Sequence, residues 1–284
     1  MSEQLAKSLI DAGIHFGHRA SRWNPKMKPY IFGKRNLIHI IDVRETIRGI
    51  LLARKYLQKT VADGKDVLFV GTKRQARKVI EDQASDIQMH WVTERWLGGT
   101  LTNFHEIRKR VARLEELEQM EADNLLDTYS KKQGATLRRE LRKVYTNLNG
   151  LRKMTRLPGA LVVVDQGREI IAVKEAKKLG IPVICLLDTD SDPDLIDIPI
   201  PGNDDAMRSI EIVIGSLVDS IRGGVGMRNK ADGDEGEPRR RSKRQAMGQA
   251  APEAAPAAEP APEAAPEAPA APEAPAAPDA PAAE

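Results

Sequence analysis

The chain has 284 residues, with 44 Lys and Arg against 41 Asp and Glu, and is long enough for one large domain or two small ones. Seven acids and no Lys or Arg lie in residues 249–284, which leaves 44 bases against 34 acids before that point, a body at +10 that attracts RNA, DNA or an anionic membrane surface. No stretch approaches the ~20 apolar residues of a spanning helix, no start resembles a signal peptide, and a single cysteine, Cys185, excludes an intrachain disulfide and a thiolate metal cluster, so a cytoplasmic protein is expected.

Residues 2–11 predict a helix striped by Leu5, Leu9 and Ile10 and ended by Gly13. His15 and His18 flank Phe16 and Gly17; two histidines do not make a metal site, and packing or phosphate contact is the expectation. Residues 19–35 carry six cations (Arg19, Arg22, Lys26, Lys28, Lys34, Arg35) and no acid, with Trp23, Tyr30 and Phe32 between them. Pro25, Pro29 and Gly33 exclude one continuous helix, so the stretch reads as an irregular loop. Its cations can neutralise phosphates and its aromatics can stack on bases; the alternative is a solvated loop with its aromatics tucked onto the body. Residues 37–41 predict a strand. Asp42 and Glu45 stand at capping-box spacing before a helix with Val43, Ile47, Ile50, Leu51, Leu57 and Val61 on one face, closed by Gly64.

Residues 66–70 predict a buried strand that runs into Gly71-Thr72-Lys73-Arg74 and a helix to about residue 84. Strand, glycine, helix start is the geometry that cradles phosphate, and Lys73, Arg74, Arg77 and Lys78 add charge. The sequence lacks both a P-loop and a G-x-G-x-x-G fingerprint, so a backbone phosphate of RNA fits this turn better than a nucleotide. The plainer alternative is an ordinary β–α turn with a solvated basic face. A strand over 87–92 leads to Arg95-Trp96-Leu97-Gly98-Gly99-Thr100-Leu101-Thr102-Asn103, whose glycines allow close approach to another chain or a phosphate. Thr102 or Asn103 is expected to cap the next helix.

That helix is striped by Ile107, Val111, Leu114 and Leu117. After a break over 124–134, a second arm carries Leu137, Leu141, Val144, Leu148 and Leu151 at the alternating spacing of a coiled-coil seam. The pair predicts an antiparallel hairpin with arms of roughly 25–30 Å. Residues 131–156 hold nine bases and one acid, Glu140, so this arm can face a polyanion, unless the hairpin is purely structural.

Pro158 and Gly159 end the hairpin. Strands over 161–164 and 181–187, a helix over 168–179, a short apolar piece over 196–200 and a helix over 204–221 complete the folded part. Alternating strands and helices predict a mostly parallel sheet with helices on both faces, whose ligand edge is the carboxyl end of the strands. The acidic loop 188–194 lies there. Asp188-x-Asp190 resembles the nucleophile motif of aspartate-based phosphatases, which makes a Mg²⁺-dependent phosphohydrolase the alternative function. The motif falls late in the chain, however, and lacks its partner residues. A calcium loop fails at Pro193 and Pro199, which stand where glycine and a bidentate Glu are required. Turn formation and helix capping are the expected roles of these aspartates; a divalent ion on Asp188, Asp205 and His18 stays open, and no cofactor or metal is assigned. Residues 225–284, a basic cluster at 239–244 and then irregular Ala-Pro-Glu units, are expected to be a disordered tail.

His15-Phe16-Gly17-His18, residues 23–33, Phe69-Val70-Gly71-Thr72-Lys73-Arg74, residues 95–103, Gly180-Ile181-Pro182-Val183, Asp188-Thr189 with Ser191-Asp192-Pro193, and residues 200–206 together resemble, in order, the bacterial small-ribosomal-subunit protein S-two family. The resemblance implies a flavodoxin-like α/β domain over 1–104 and 157–224, with an inserted coiled-coil hairpin over 105–156. It also implies a structural, non-catalytic protein of the cytoplasmic small ribosomal subunit that serves translation. Such a protein touches 16S ribosomal RNA and neighbouring ribosomal proteins, and helps dock the large messenger-binding protein S-one. The candidate RNA-binding residues are then Arg19, Arg22, Trp23, Lys26, Lys28, Lys34, Arg35, Lys73, Arg74, Arg95, Arg138 and Arg139. No membrane and no small-molecule substrate is expected.

Overall fold

Continuous burial of the apolar runs sets the architecture. The computed structural model describes residues 2–234. Five parallel strands, β4 (Val67–Val70), β5 (His90–Val92), β6 (Ala160–Val164), β7 (Val183–Leu187) and β8 (Ile198–Pro201), form one sheet in the order β5-β4-β6-β7-β8. Counted within the sheet this is second, first, third, fourth, fifth, an order consistent with a flavodoxin-like fold, and it reverses direction between β4 and β6. Every residue of β4, β6 and β7 is buried, as a parallel sheet covered on both faces requires.

Alternate side chains enter two cores. Val67, Phe69, Val162, Val164, Ile184 and Leu186 face helices α1 (Ser2–Asp11), α2 (Val43–Ala62), α3 (Arg74–Asp86) and α7 (Met207–Asp234). Leu68, Val70, Leu161, Val163, Val183, Cys185 and Leu187 face α6 (Ile170–Lys178) and the bases of α4 (Phe104–Ala122) and α5 (Lys131–Leu148). The α4–α5 pair is therefore continuous with the second core at one end: Ile107, Val111, Leu148 and Leu151 belong to that core, while Leu114, Leu117 and Leu141, with Met120, Leu137 and Val144 packed against them, form a cluster of their own. Arg108 donates to the Met154 carbonyl while Arg113 lies near Glu140, so the two helices run in opposite directions.

The helix signals hold with local exceptions. Asp42 Oδ1 accepts from the Arg44 amide, and Gly64, at φ +78°, turns the chain out of α2. Leu51 is 52% exposed, because Ile50, Ala53, Leu57 and Val61 already set the buried face and a neighbour one residue on points away. Ile10 is likewise on the outside of α1. Asn103 occupies the N-cap of α4 without a side-chain cap bond. Thr102 does not cap either: its hydroxyl and amide both donate to Glu175. The last helix passes its expected end at Ile221 and continues to Asp234, into the segment expected to open the disordered tail. Gly224 allows this, since a Cβ there would stand 2.7 Å from the Gln58 carbonyl of α2. The basic cluster at 239–244 and the Ala-Pro-Glu units lie outside the described residues.

The stretch 19–35 is more regular than an irregular loop. A 3-10 turn over Pro25–Tyr30, opened by Asn24 accepting from the Lys26 amide, leads into β2 (Ile31–Arg35). With β1 (Phe16–Arg19) and β3 (Ile38–Ile41) it makes an antiparallel sheet in the order β1-β3-β2. Asn36 and Leu37, at φ 48° and 63°, close β2 onto β3 as the two-residue hairpin turn with both central residues left-handed.

Candidate functional site

The small antiparallel sheet docks on the carboxyl ends of the parallel strands, and the motifs at 15–18, 71–74, 188–193 and 200–206 meet there. The His18 amide donates to Asp188 Oδ1 (3.1 Å) and to Thr189 Oγ1 (3.0 Å), and the Asn24 amide to the Thr189 carbonyl (2.8 Å). Gly17 is required for this approach: a Cβ would stand 2.6 Å from Thr189 Cγ2. The Asn203 amide bonds the Ile14 carbonyl at 2.9 Å and closes the other side.

Within this seam His18 and Lys73 lie among Asp165, Asp188, Asp190, Asp204 and Asp205. His18 Nδ1 lies 2.6 Å from Asp188 Oδ2, and its Nε2 lies 3.6 Å from Asp205 and 4.0 Å from Asp190. The hydrogen bond to Asp188 raises the imidazole to about 9 against the opposing effect of burial. The Lys73 ammonium touches Asp204 (2.7 Å) and Asp205 (2.6 Å) and lies 3.7 Å from Asp165. Burial works against its charge, and the two carboxylates outweigh burial and hold it above the ordinary lysine value. Burial first, then the Asp165 charge, push Asp204 up to about 7.

This placement bears on one candidate contact and one alternative. Lys73, a candidate RNA contact, is 6% exposed and committed to internal carboxylates. Asp188, the nucleophile of the alternative reading, is 1% exposed, with Oδ1 held by the His18 and Thr189 amides and Oδ2 by the imidazole.

The two glycine loops expected to cradle phosphate are likewise filled from within. Glu169 accepts from the Thr72 amide (3.0 Å) at the turn after β4, and Arg77 turns to the Thr72 carbonyl and to Glu94. Glu175, on the buried side of α6, receives the amides of Gly99 (2.7 Å), Leu101 (3.0 Å) and Thr102 (3.1 Å), with the Trp96 indole and Thr102 hydroxyl completing its shell. Burial raises this carboxyl, and the backbone donors outweigh it and leave the group below the ordinary glutamate value. A buried protein carboxylate takes the amides of a loop whose glycines were expected to allow close approach to another chain or a phosphate. Sequence reasoning missed Glu175, although a signal existed: it sits between Ala172, Val173 and Ala176, an acid on an apolar helix face.

The remaining cations point outward. Arg19, Arg22, Lys28, Lys34 and Arg35, in the strands β1 and β2 and the segment between them, with Arg74 at the start of α3 and Arg95 on the loop after β5, are exposed, and among the described residues they form no ion pair. Trp23 lies against His39, ring centroids 5.2 Å apart, and is only partly exposed. Lys26 is bound to Asp192 (2.8 Å) and Asp194 (2.6 Å) and so is neutralised by the acidic loop. Arg139 is exposed on α5, and Arg138 is partly buried beside it.

The chain matches the family model for ribosomal protein S2 over residues 9–224. It is similar to small ribosomal subunit protein uS2 of Rhodopirellula baltica, 57% identical over 80% of this chain and 87% of that protein. It is also similar to uS2 of Tropheryma whipplei, 49% identical over 85% of this chain and 83% of that one, and to uS2c of Porphyra purpurea, 52% identical over 75% and 88%.

Proposed function

The chain belongs to the ribosomal protein S2 family, a family of structural ribosomal proteins and not of enzymes, and from that premise we propose that it is a constituent of the small ribosomal subunit that binds 16S ribosomal RNA through its antiparallel sheet. The observation that carries the RNA reading is the outward set of cations: Arg19 on β1, Lys34 and Arg35 on β2, and Arg22 and Lys28 in the segment between those strands are exposed and form no ion pair among the described residues. Unpaired cations on a surface already ordered by its own hydrogen bonds can neutralise phosphates with little loss of side-chain pairing elsewhere. Arg74 and Arg95 extend this surface along the carboxyl edge of the parallel sheet. On this reading α4 and α5 form a coiled-coil hairpin projecting from an α/β domain of residues 1–104 and 157–224. Its basic arm, with Arg138 and Arg139, meets RNA, and neighbouring proteins, among them the messenger-binding protein S-one, dock against the assembly.

The test is binding of the full chain to 16S ribosomal RNA across a salt series, beside an Arg19→Glu/Arg22→Glu/Arg35→Glu variant. The unaltered chain is expected to lose affinity linearly in log salt, and the variant to show a slope shallower by about one for each phosphate it no longer neutralises. In lysate sedimentation the variant should leave the small-subunit fraction. An unchanged slope together with normal subunit occupancy would overturn the assignment of this surface.

A further inference from the structure

We propose that a cavity at the amino edge of the parallel sheet, the end opposite the seam, is a binding site for a phosphate monoester or pyrophosphate group, with Lys153 and Arg228 as its principal cations. The cavity measures about 590 Å³ and opens beside Asp66, Gln88 and His90, at the starts of β4 and β5. Ligands of open parallel sheets use the other edge as a rule, so that rule does not account for it.

Three features without another role in the fold build its walls. The overrun of α7 past Ile221 supplies Arg222, Val225 and Arg228, which follow one another at three-residue spacing along one side of the helix and all line the cavity. Residues 149–153 supply Lys153. They are pressed onto the edge of β5 at Gly150, where a Cβ would collide with the Trp91 carbonyl. Gln88 lines the cavity at φ +55°, a left-handed conformation that costs a non-glycine residue energy and that gathers at ligand sites.

The charges are arranged for an anion. Arg222 is committed to Asp86 (2.5 Å) and Asp219 (3.5 Å). Asp66 lies 3.7 Å from Arg156 and 3.8 Å from Arg228. Those separations are too long for hydrogen bonds, so the carboxylate orients Arg228 and leaves its donors uncommitted. Lys153 is exposed and forms no ion pair or hydrogen bond among the described residues, and Arg228 forms no hydrogen bond among them. Burial lowers the His90 imidazole, so it adds no fixed charge at neutral pH. Four cations (Lys153, Arg156, Arg222, Arg228) thus stand against three carboxylates (Asp66, Asp86, Asp219), and the surplus lies on the cavity. Lys153 and Arg228 reach it from separate elements. A phosphate accepts on three oxygens and suits donors that arrive from separate sides, whereas a carboxylate suits the planar fork of one arginine. The site stands whether or not the small sheet binds RNA.

The full chain should be titrated calorimetrically with pyrophosphate at low ionic strength, and saturable binding of one equivalent is expected. Lys153→Gln and Arg228→Gln should each weaken it about ten-fold or more, while Lys174→Gln, which removes an exposed cation of α6, leaves it unchanged. Lys153 is exposed and Arg228 partly so, so neither variant threatens the fold, and circular dichroism checks both. Pyrophosphate should also slow amide exchange over residues 86–90 in the unaltered chain and not in Lys153→Gln. A short RNA with a 5′-phosphate and its 5′-hydroxyl twin identify the source of the group. Tighter binding of the phosphorylated strand assigns the site to an RNA end, and equal binding of the two assigns it to a free phosphate compound. Absence of saturable pyrophosphate binding, or equal affinity in the unaltered chain and both site variants, would overturn the proposal. Binding lost instead in Arg19→Glu/Arg22→Glu/Arg35→Glu would place the anion on the small sheet and overturn it too.

Discussion

Two basic stretches of similar composition end in opposite environments. Residues 19–35 become the end of one strand, a 3-10 turn and a second strand, whose cations, Lys26 excepted, are exposed and form no ion pair among the described residues. The turn at 72–77 looks equally basic, yet Lys73 is sunk among Asp165, Asp204 and Asp205, and Arg77 is held by Glu94 and the Thr72 carbonyl. The difference lies in what the rest of the chain brings to each. The turn sits at the carboxyl edge of a parallel sheet where three further strands deliver aspartates, whereas the antiparallel sheet exposes its outer face. A run of cations therefore states a charge, and the topology states whether that charge is available.

The largest expected effect tests an internally filled loop. Glu175→Ala leaves the Gly99, Leu101 and Thr102 amides and the Trp96 indole without their acceptor. Loss of about 3 kcal/mol or more is expected from urea unfolding, with Glu175→Gln, which keeps one acceptor oxygen, falling between. A loss below about 1 kcal/mol would mean the 95–103 loop can find another partner, and its amides would again be open to a phosphate.

A smaller effect tests the seam. The folded-state value of His18 is raised from 6.5 to about 9, so in chelator-treated protein its contribution is complete below about pH 6.5 and disappears as pH rises through about 9. The shift corresponds to a contribution on the order of 3 kcal/mol at most. Unfolding midpoints of the unaltered chain and His18→Asn should differ at pH 6 and converge toward pH 10. A gap that stays constant over that range would show that the imidazole does not hold its proton through Asp188.

The smallest effect is expected on the open surface. Arg19→Gln, Arg22→Gln and Arg35→Gln should each change folding stability by no more than about 0.5 kcal/mol, because exposed side chains without partners contribute little. A cost well above that for any of the three, measured by thermal unfolding, would place that cation in the internally paired class and erase the contrast for that residue.

Much of the fold was legible because the physical signals were local. Asp42 and Gly64 bracket α2, the four-three spacing of apolar residues marks α4 and α5, and the continuous apolar runs mark β6 and β7. Errors gathered where a distant residue decides the outcome. Thr102 looked like a helix cap until Glu175 claimed both its donors, and α7 outran its expected end because Gly224 lets it lie against α2. At the candidate site the basic character of 19–35 was legible from composition alone, while the internal partners of Lys73 and Lys26 were not, because they lie far along the chain.

The amino-acid order by itself determined most of the elements, the continuous apolar runs of the central strands, the excess of positive charge in the body and the family pattern of glycines, histidines and aspartates. Only the tertiary structure decided which of those charges remain free. Ion pairing and hydrogen bonding depend on separations of a few ångströms between groups far apart along the chain, such as His18 and Thr189, 171 positions apart, and that proximity is created by the packing of one sheet on the edge of another.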